Sequence, residues 1–223
     1  MNGFWILLLI LLFFLMSELL RKKAVNQFLR AVHEAIRNKD EESFSLYLSS
    51  PQAKMLMSKN ARLLIRCRGW VVLDRLDAIR KLVEETDPER FSRKEKRAYY
   101  QILFGYLVEK KEECKAKQML KAIQRDLGKS KDPADLLFAF DCELAYDVYL
   151  NPRASRKKDL EALIETAPEA QLRAVYQYRL ALVLHREGKQ EESRALLKEA
   201  RENSASKIER EKIDQILNGA WES

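Results

Sequence analysis

The chain has 223 residues with 41 basic and 34 acidic side chains, and its net charge is +7 when the histidines are neutral. Six glycines and five prolines are less than half the usual share of these residues, which excludes the sandwich and barrel folds that need them in tight turns. An apolar share of 47% excludes a globally disordered chain, and three scattered cysteines exclude a disulfide scaffold.

The first predicted element is a helix over residues 4–20. A run of thirteen apolar residues covers 4–16, and the basic triplet Arg21, Lys22 and Lys23 closes the segment. A helix over 4–20 is about 25 Å long, close to the ~30 Å hydrocarbon core of a bilayer. Trp5 suits one membrane interface and the triplet suits the other. These features predict a transmembrane signal anchor over residues 1–23.

The basic residues that flank this segment predict its orientation. They lie on its C-terminal side, which places the N-terminus outside and residues 24–223 in the cytoplasm. Two other interpretations stay open. A cleaved signal peptide usually has a basic leader and a small-residue cleavage site, and neither occurs here. A helix buried in a globular domain is rarely apolar on every face.

Helical periodicity continues from residue 24 to the C-terminus. Val25, Phe28, Val32 and Ile36 form the first amphipathic stripe. No stretch alternates with a period of two, so the sequence predicts an all-α chain of antiparallel helix pairs. Prolines 37, 45 and 35 residues apart, from Pro51 to Pro168, weakly indicate a helix–turn–helix repeat. Further helices are predicted around 44–48, 56–69 and 72–86, and over 92–109, 113–127, 133–150, 155–166, 169–187, 189–203 and 206–218.

The clearest helix pair covers residues 174–203. Its first helix aligns Tyr178, Ala181 and Leu184 on one side, and Gly188 occupies the turn. Its second helix carries Ser193 and Ala200, and these small residues allow the two helices to approach closely. This segment resembles a tetratricopeptide repeat. The residues that match that family's pattern are Leu180, Ala181, Leu184, Gly188, Ser193 and Ala200.

A second, poorer match to the same repeat covers residues 97–123. Phe104 replaces the small residue of the pattern, and Lys111 replaces the turn glycine. The resemblance implies that residues 24–223 stack helix pairs as a right-handed tetratricopeptide-like solenoid, with the predicted transmembrane helix before it. Because a single repeat cannot bury its own apolar face, the helix over 206–218 is predicted to cap the stack. A helical bundle without repeat ancestry is the alternative.

The resemblance also implies a binding groove, because first helices of this family line a concave surface that takes peptides. The positions that correspond are Val175, Tyr178, Leu182, His185, Arg186, Gln101 and Glu109. Tyr178 and Leu182 stand where a carboxylate clamp needs polar groups, so a peptide anchored by an apolar side chain is the predicted ligand.

A second candidate surface is a basic patch formed by Arg62, Arg66 and Arg68. Trp70 and two lysines, Lys54 and Lys59, lie close to it in the sequence. Such a patch suits nucleic acid or anionic lipid, although solvated arginines on a helix face give the same pattern. The two neighbouring arginines favour a lowered pKa of Cys67, but a packed or partly exposed thiol without a catalytic or redox role is the preferred interpretation.

The predicted function is that of a membrane-anchored scaffold or adaptor that binds a protein or peptide partner. Two alternatives stay open: an assembly factor outside the cytoplasm, with its N-terminus cleaved or inverted, and a nucleic-acid or anionic-lipid binder. No phosphate loop, nucleophile motif or metal-ligand spacing occurs in the sequence, so the chain is predicted to be no enzyme and to need neither cofactor nor metal.

Overall fold

The computed structural model describes the backbone of residues 2–151, 155–219 and 221, and the side chains of these residues from Leu15 onward. Within this part of the chain all regular structure is helical and no strand occurs, which confirms the all-α prediction. The elements are α1 (Asn2–Arg37), α2 (Glu41–Ser49), α3 (Pro51–Leu56), α4 (Lys59–Val72), α5 (Leu76–Glu85), a 3₁₀ turn (Pro88–Arg90), α6 (Arg93–Glu109), α7 (Glu113–Asp126), α8 (Pro133–Tyr149), α9 (Lys157–Thr166), α10 (Ala170–Arg186), α11 (Gln190–Asn203) and α12 (Lys207–Leu217).

The chain folds as two compact units. Unit 1 comprises Met1–Tyr106 and unit 2 comprises Leu107–Ser223. The boundary falls within α6, so the weaker predicted repeat over 97–123 contributes residues to both units, whereas the better repeat over 174–203 lies in unit 2.

The prediction of a membrane-spanning anchor needs correction. In the part of the chain that the structure describes, no helix is both long and apolar enough to cross a bilayer. This finding contradicts the transmembrane helix of the predicted fold and the single-pass location with a cytoplasmic domain. The described part of α1 explains the result, because it carries charges from Glu18 onward and packs Phe28 and Val32 into the core of unit 1. The side chains of residues 4–14, including Trp5, lie outside the described residues.

The predicted basic flank of the anchor is a charged surface of α1. Arg21 pairs with Glu18 at 3.4 Å, and both side chains are more than half exposed. Lys22 and Lys23 are also exposed.

Four helix-to-helix turns share one hydrogen-bond geometry. In each, a left-handed residue follows the helix: Lys39, Asp74 and Lys111 have φ of 55°, 57° and 55°, and Gly188 has φ of 80°. The next amide donates to a carbonyl five residues earlier at 2.8–2.9 Å, and the left-handed residue donates three residues back. This pair of bonds is the Schellman motif, which ends a helix sharply and reverses the chain.

These turns recur at a nearly constant interval. Lys39, Asp74 and Lys111 stand 35 and 37 residues apart. The α8–α9 connection keeps only one of these two bonds, from the Asn151 amide to the Tyr146 carbonyl at 3.1 Å. Leu150 is not left-handed, with φ of −120°, and its own amide donates four residues back to the same carbonyl. Leu150 lies 39 residues after Lys111 and 38 before Gly188. The Schellman turns of α1–α2, α4–α5 and α6–α7 therefore recur every 35–37 residues, and the different turn of α8–α9 lies near the middle of the longer interval to Gly188.

Three of the four spaced prolines begin helical segments, and Pro168 lies two residues before α10. Pro51 and Pro133 start α3 and α8, and Pro88 starts the 3₁₀ turn. Proline suits a helix start because the first amides have no partner within the helix. Side chains of Ser50 and Asp132, which precede two of these prolines, accept hydrogen bonds from backbone amides of the first turn.

The core of unit 1 places α1 and α2 against α4. Phe44 and Leu48 are fully buried, and the Phe44 ring meets Trp70 edge to face at 4.9 Å. Gly69 lies directly beneath Phe44, and a Cβ at this position would overlap the ring. Glycine is therefore required at residue 69 for close approach of α2 to α4.

Unit 2 has two cores on opposite sides of α10. One joins α10 to α8 and α9 through Leu144, Leu160 and Leu180. The other joins it to α11 and α12 and contains Ala181, Leu197, Ala200, Ile213 and Ile216. The buried Ser193 hydroxyl donates to the Ala181 carbonyl at 2.7 Å, so the small residues bring α10 and α11 into contact.

Candidate functional site

Unit 2 contains a pocket of about 200 Å³ between α10 and α12, at the end of α8. We call it the α10–α12 pocket. Each lining helix contributes one face: residues 174, 175 and 178 of α10, and residues 209, 212 and 213 of α12, follow the spacing of side chains that share a helix side. Its lining residues are Tyr149, Ala174, Val175, Tyr178, Ser204, Glu209, Lys212 and Ile213.

The pocket has an apolar floor and a charged rim. Ile213 is buried, and the aromatic rings of Tyr149 and Tyr178 contribute to the wall. The Lys212 Nζ lies 5.9 Å from the centre of the Tyr178 ring, within the range of a cation–π contact. The Ser204 hydroxyl donates to Glu209 Oε2 at 2.6 Å and orients that carboxylate. The arrangement can hold an apolar group and offer one charge of each sign beside it.

An ion pair between a buried arginine and a partly exposed aspartate holds α10 in position next to this pocket. Arg179 is only 8% exposed, and its Nη1 donates to Asp141 Oδ1 on α8 at 2.5 Å. Burial alone would lower the pKa of Arg179, but the Asp141 carboxylate outweighs it and the pKa is raised. The guanidinium therefore stays charged and ties α10 to α8.

The structure brings together two of the five predicted groove residues of α10. Val175 and Tyr178 line the α10–α12 pocket. Leu182 packs against the core shared with α8 and α9. The His185 ring stacks on Trp221, with centres 3.4 Å apart and planes 5° from parallel.

Of the predicted groove residues, His185 is thus the one that Trp221 covers. Arg186 is exposed, and its Nε donates to the Leu182 carbonyl at 3.3 Å. The two groove residues predicted on α6, Gln101 and Glu109, are both exposed, and they belong to unit 1 and unit 2 respectively.

Sequence reasoning missed the α12 side of the pocket. Helices α10 and α12 begin at residues 170 and 207, so a position on one corresponds to a position 37 residues later on the other. Val175 corresponds to Lys212 by this rule. Carrying the groove positions one repeat further would therefore have found Lys212, whereas Tyr149 and Ser204 enter only through tertiary packing.

The residues of the predicted basic patch do not form one continuous surface. Arg62 is half-buried, and its Nη1 donates to the Leu48 carbonyl at 3.4 Å. Arg66 lines a separate cleft together with Lys59 and Trp70. Arg68 is exposed and does not line that cleft, and Lys54 is exposed on α3.

Cys67 is a packed thiol, as the preferred interpretation of the sequence holds, and its neighbouring arginines do not leave it with a lowered pKa. Burial raises the pKa of its thiol to about 12 and outweighs the lowering by Arg66. Burial also raises the pKa of Cys142 to about 12, whereas Cys114 is exposed. Neither buried thiol has the thiolate character that a reactive cysteine requires.

Neither metal ligation nor similarity assigns a function. Among the described residues no group of three histidine, cysteine, aspartate or glutamate side chains is placed to hold a metal ion. Comparison of the chain with protein-family models, with curated proteins and with solved structures finds no match.

Proposed function

We propose that this protein binds a partner protein by holding one apolar side chain of a peptide segment in the α10–α12 pocket. The observation that carries the proposal is the convergence of Val175 and Tyr178 with Tyr149 and Ile213 around about 200 Å³. The resemblance of residues 174–203 to a tetratricopeptide repeat supports it, since first helices of that family line peptide grooves. The proposed role is that of an interaction scaffold without catalysis or cofactor.

The size and polarity of the pocket favour a peptide anchor over a small-molecule substrate. Pockets for drug-sized ligands enclose roughly 300–1,000 Å³, and this one is smaller. It matches a single large apolar side chain, the kind of anchor that dominates the free energy of many protein interfaces. At the rim, Lys212 can pair with a peptide carboxylate on one side of the anchor, and Glu209 can pair with an amide or ammonium group on the other side.

The first test places a photoreactive amino acid at position 175 in the living source cell. Crosslinking to a defined partner is expected from position 175, because a bound peptide lies within reach. The matched control is position 195, an exposed alanine on α11 outside the pocket. Equal crosslinking from both positions, or none from position 175, would contradict the proposal.

A pair of variants then measures the pocket's contribution. Val175→Asp puts a charge among apolar groups and should weaken binding of the crosslinked partner at least tenfold, about 1.4 kcal/mol. Ala195→Asp is the matched control and should bind as the wild type does. Circular dichroism must show equal helicity for both variants, since a partly unfolded Val175→Asp would lose the partner for another reason.

A further inference from the structure

Unit 1 contains a second and larger concavity, a cleft of about 600 Å³ between α4 and α5. We call it the α4–α5 cleft. Residues 59, 63, 66 and 70 form one stripe along α4, and residues 78, 81, 82 and 85 form a stripe along α5. The loop over 86–91 closes one end, and Ser45 of α2 lies at the border. The cleft is therefore a trough that follows two helices.

The charges in the α4–α5 cleft are not balanced. Glu85 forms an ion pair with Lys81 at 3.8 Å, and Asp87 forms one with Arg90 at 3.2 Å. Lys59 and Arg66 also line the cleft, and neither forms an ion pair with any residue that the structure describes. The cleft consequently carries two excess positive charges, both on α4.

The spacing of these two cations is regular. Lys59 and Arg66 are seven residues apart on one helix, which separates them by about 10 Å along the axis. Leu63 lies between them, and the floor continues with Leu82, which is only 6% exposed, and with the Trp70 ring. The pattern along α4 is thus cation, apolar contact, cation.

We infer that the α4–α5 cleft docks an amphipathic acidic helix of a partner protein. A partner helix with carboxylates seven residues apart has the same ~10 Å separation, because both helices rise 1.5 Å per residue. Its apolar residues three and four positions after the first carboxylate would then meet Leu63 and Leu82. This is the helix-in-groove mode of recognition, with charge fixing the register. The inference concerns a site in unit 1 and does not depend on the α10–α12 pocket.

The probe that tests this inference is a capped, alanine-based peptide of about sixteen residues, long enough to be helical on docking. It carries glutamates at its fourth and eleventh positions, leucines at its seventh and eighth, and a fluorescent label. The control peptide has the same composition, with the glutamates four residues apart. Fluorescence anisotropy against the full chain should show binding of the probe at least fivefold tighter than that of the control. Equal affinities, or no binding of the probe, would overturn the inference.

Variants of the protein locate the binding site. Arg66→Glu should weaken binding of the probe at least tenfold, because it puts like charge opposite the partner carboxylate. Arg68→Glu is the matched control: it changes the same residue type on the same helix outside the cleft, and it should change affinity less than twofold. Equal losses in both variants would show unspecific attraction to a basic chain instead of docking in the cleft.

Exchanging the charges of protein and probe distinguishes a lost ion pair from a misfolded variant. A probe with lysines in place of its glutamates should bind the double variant Lys59→Glu/Arg66→Glu and not the wild type. Failure of this exchange would contradict the assigned pairing even if the single variants weaken binding. In a separate titration, a single-stranded RNA oligonucleotide competes with the acidic probe for the protein. If RNA displaces the probe, and Arg66→Glu and Arg68→Glu weaken RNA binding equally, the basic surface would be assigned to nucleic acid instead.

Discussion

At the scale of single residues, the left-handed turn positions show how loosely sequence and backbone conformation are coupled here. Four turns have the same Schellman geometry, yet only Gly188 among their left-handed residues is a glycine. Lys39, Asp74 and Lys111 adopt the same conformation with a Cβ, at a cost of about 1–2 kcal/mol each. The glycine signal that identifies the best repeat is therefore absent from the other three turns, of which only Lys111 is placed at a turn by the poorer match over 97–123.

This strain predicts substitution effects of opposite sign. Gly188→Ala should destabilise unit 2 by about 1 kcal/mol, and the loss is conformational because a Cβ there meets no atom within 4 Å. Lys39→Gly should leave unit 1 equally stable or stabilise it by up to about 1 kcal/mol, since relief of strain offsets the entropy of glycine. Urea unfolding followed by circular dichroism measures both. A stabilising Gly188→Ala would contradict this assignment of strain.

At the scale of helices, capping explains where α2 begins. Asp40 follows the first turn, and its carboxylate accepts a hydrogen bond from the Ser43 amide at 2.9 Å. Hydrogen bonds from Ser43 lower the pKa of Asp40. A lowered folded-state pKa means that this stabilisation is present above the unfolded pKa and is lost as the pH falls through the folded one.

The cap predicts a pH-dependent stability difference. Asp40→Ala should melt a few degrees below the wild type at pH 7, and the difference should shrink as the pH falls below about 4 towards the lowered folded-state pKa of Asp40. Asp40→Asn is the control, because an asparagine also caps but does not titrate, so its advantage over the alanine variant should persist at low pH. Thermal melts from pH 7 to pH 3 compare the three proteins. A constant wild-type advantage over this range would exclude the ionised cap as its source.

At the scale of the whole molecule, the reactivity of the cysteines measures the packing of each unit separately. Cys67 is buried in unit 1, Cys142 is buried in unit 2, and Cys114 is exposed. At pH 8 a disulfide reagent should therefore modify one thiol quickly and two slowly, because both buried thiols stay protonated far above that pH. In denaturing urea all three should react quickly. Cys114→Ser should remove the fast phase, and a fast phase that survives this change would contradict the packing of one of the units.

Helix content was predictable from the sequence because apolar residues recur with the helical period and glycine and proline are rare. The most clearly predicted pair, over 174–203, buries Ala181, Ser193 and Ala200, the small residues on which the prediction rested. The membrane span was not predicted correctly: composition at one end of a helix does not show which side chains its other end packs into a core, and Phe28 and Val32 of α1 are core residues.

The local sequence determined the helices, their starts at proline, serine and aspartate, and the contact between α10 and α11, because hydrogen bonds and side-chain periods within one segment decide these features. Only the tertiary structure decided which residues form a site. Arg66 and Arg68 are two positions apart, yet one lines the α4–α5 cleft and the other is exposed, since neighbouring residues on a helix point in different directions. Tyr149 and Lys212 are distant in sequence, yet both line one pocket because successive first helices pack side by side in unit 2.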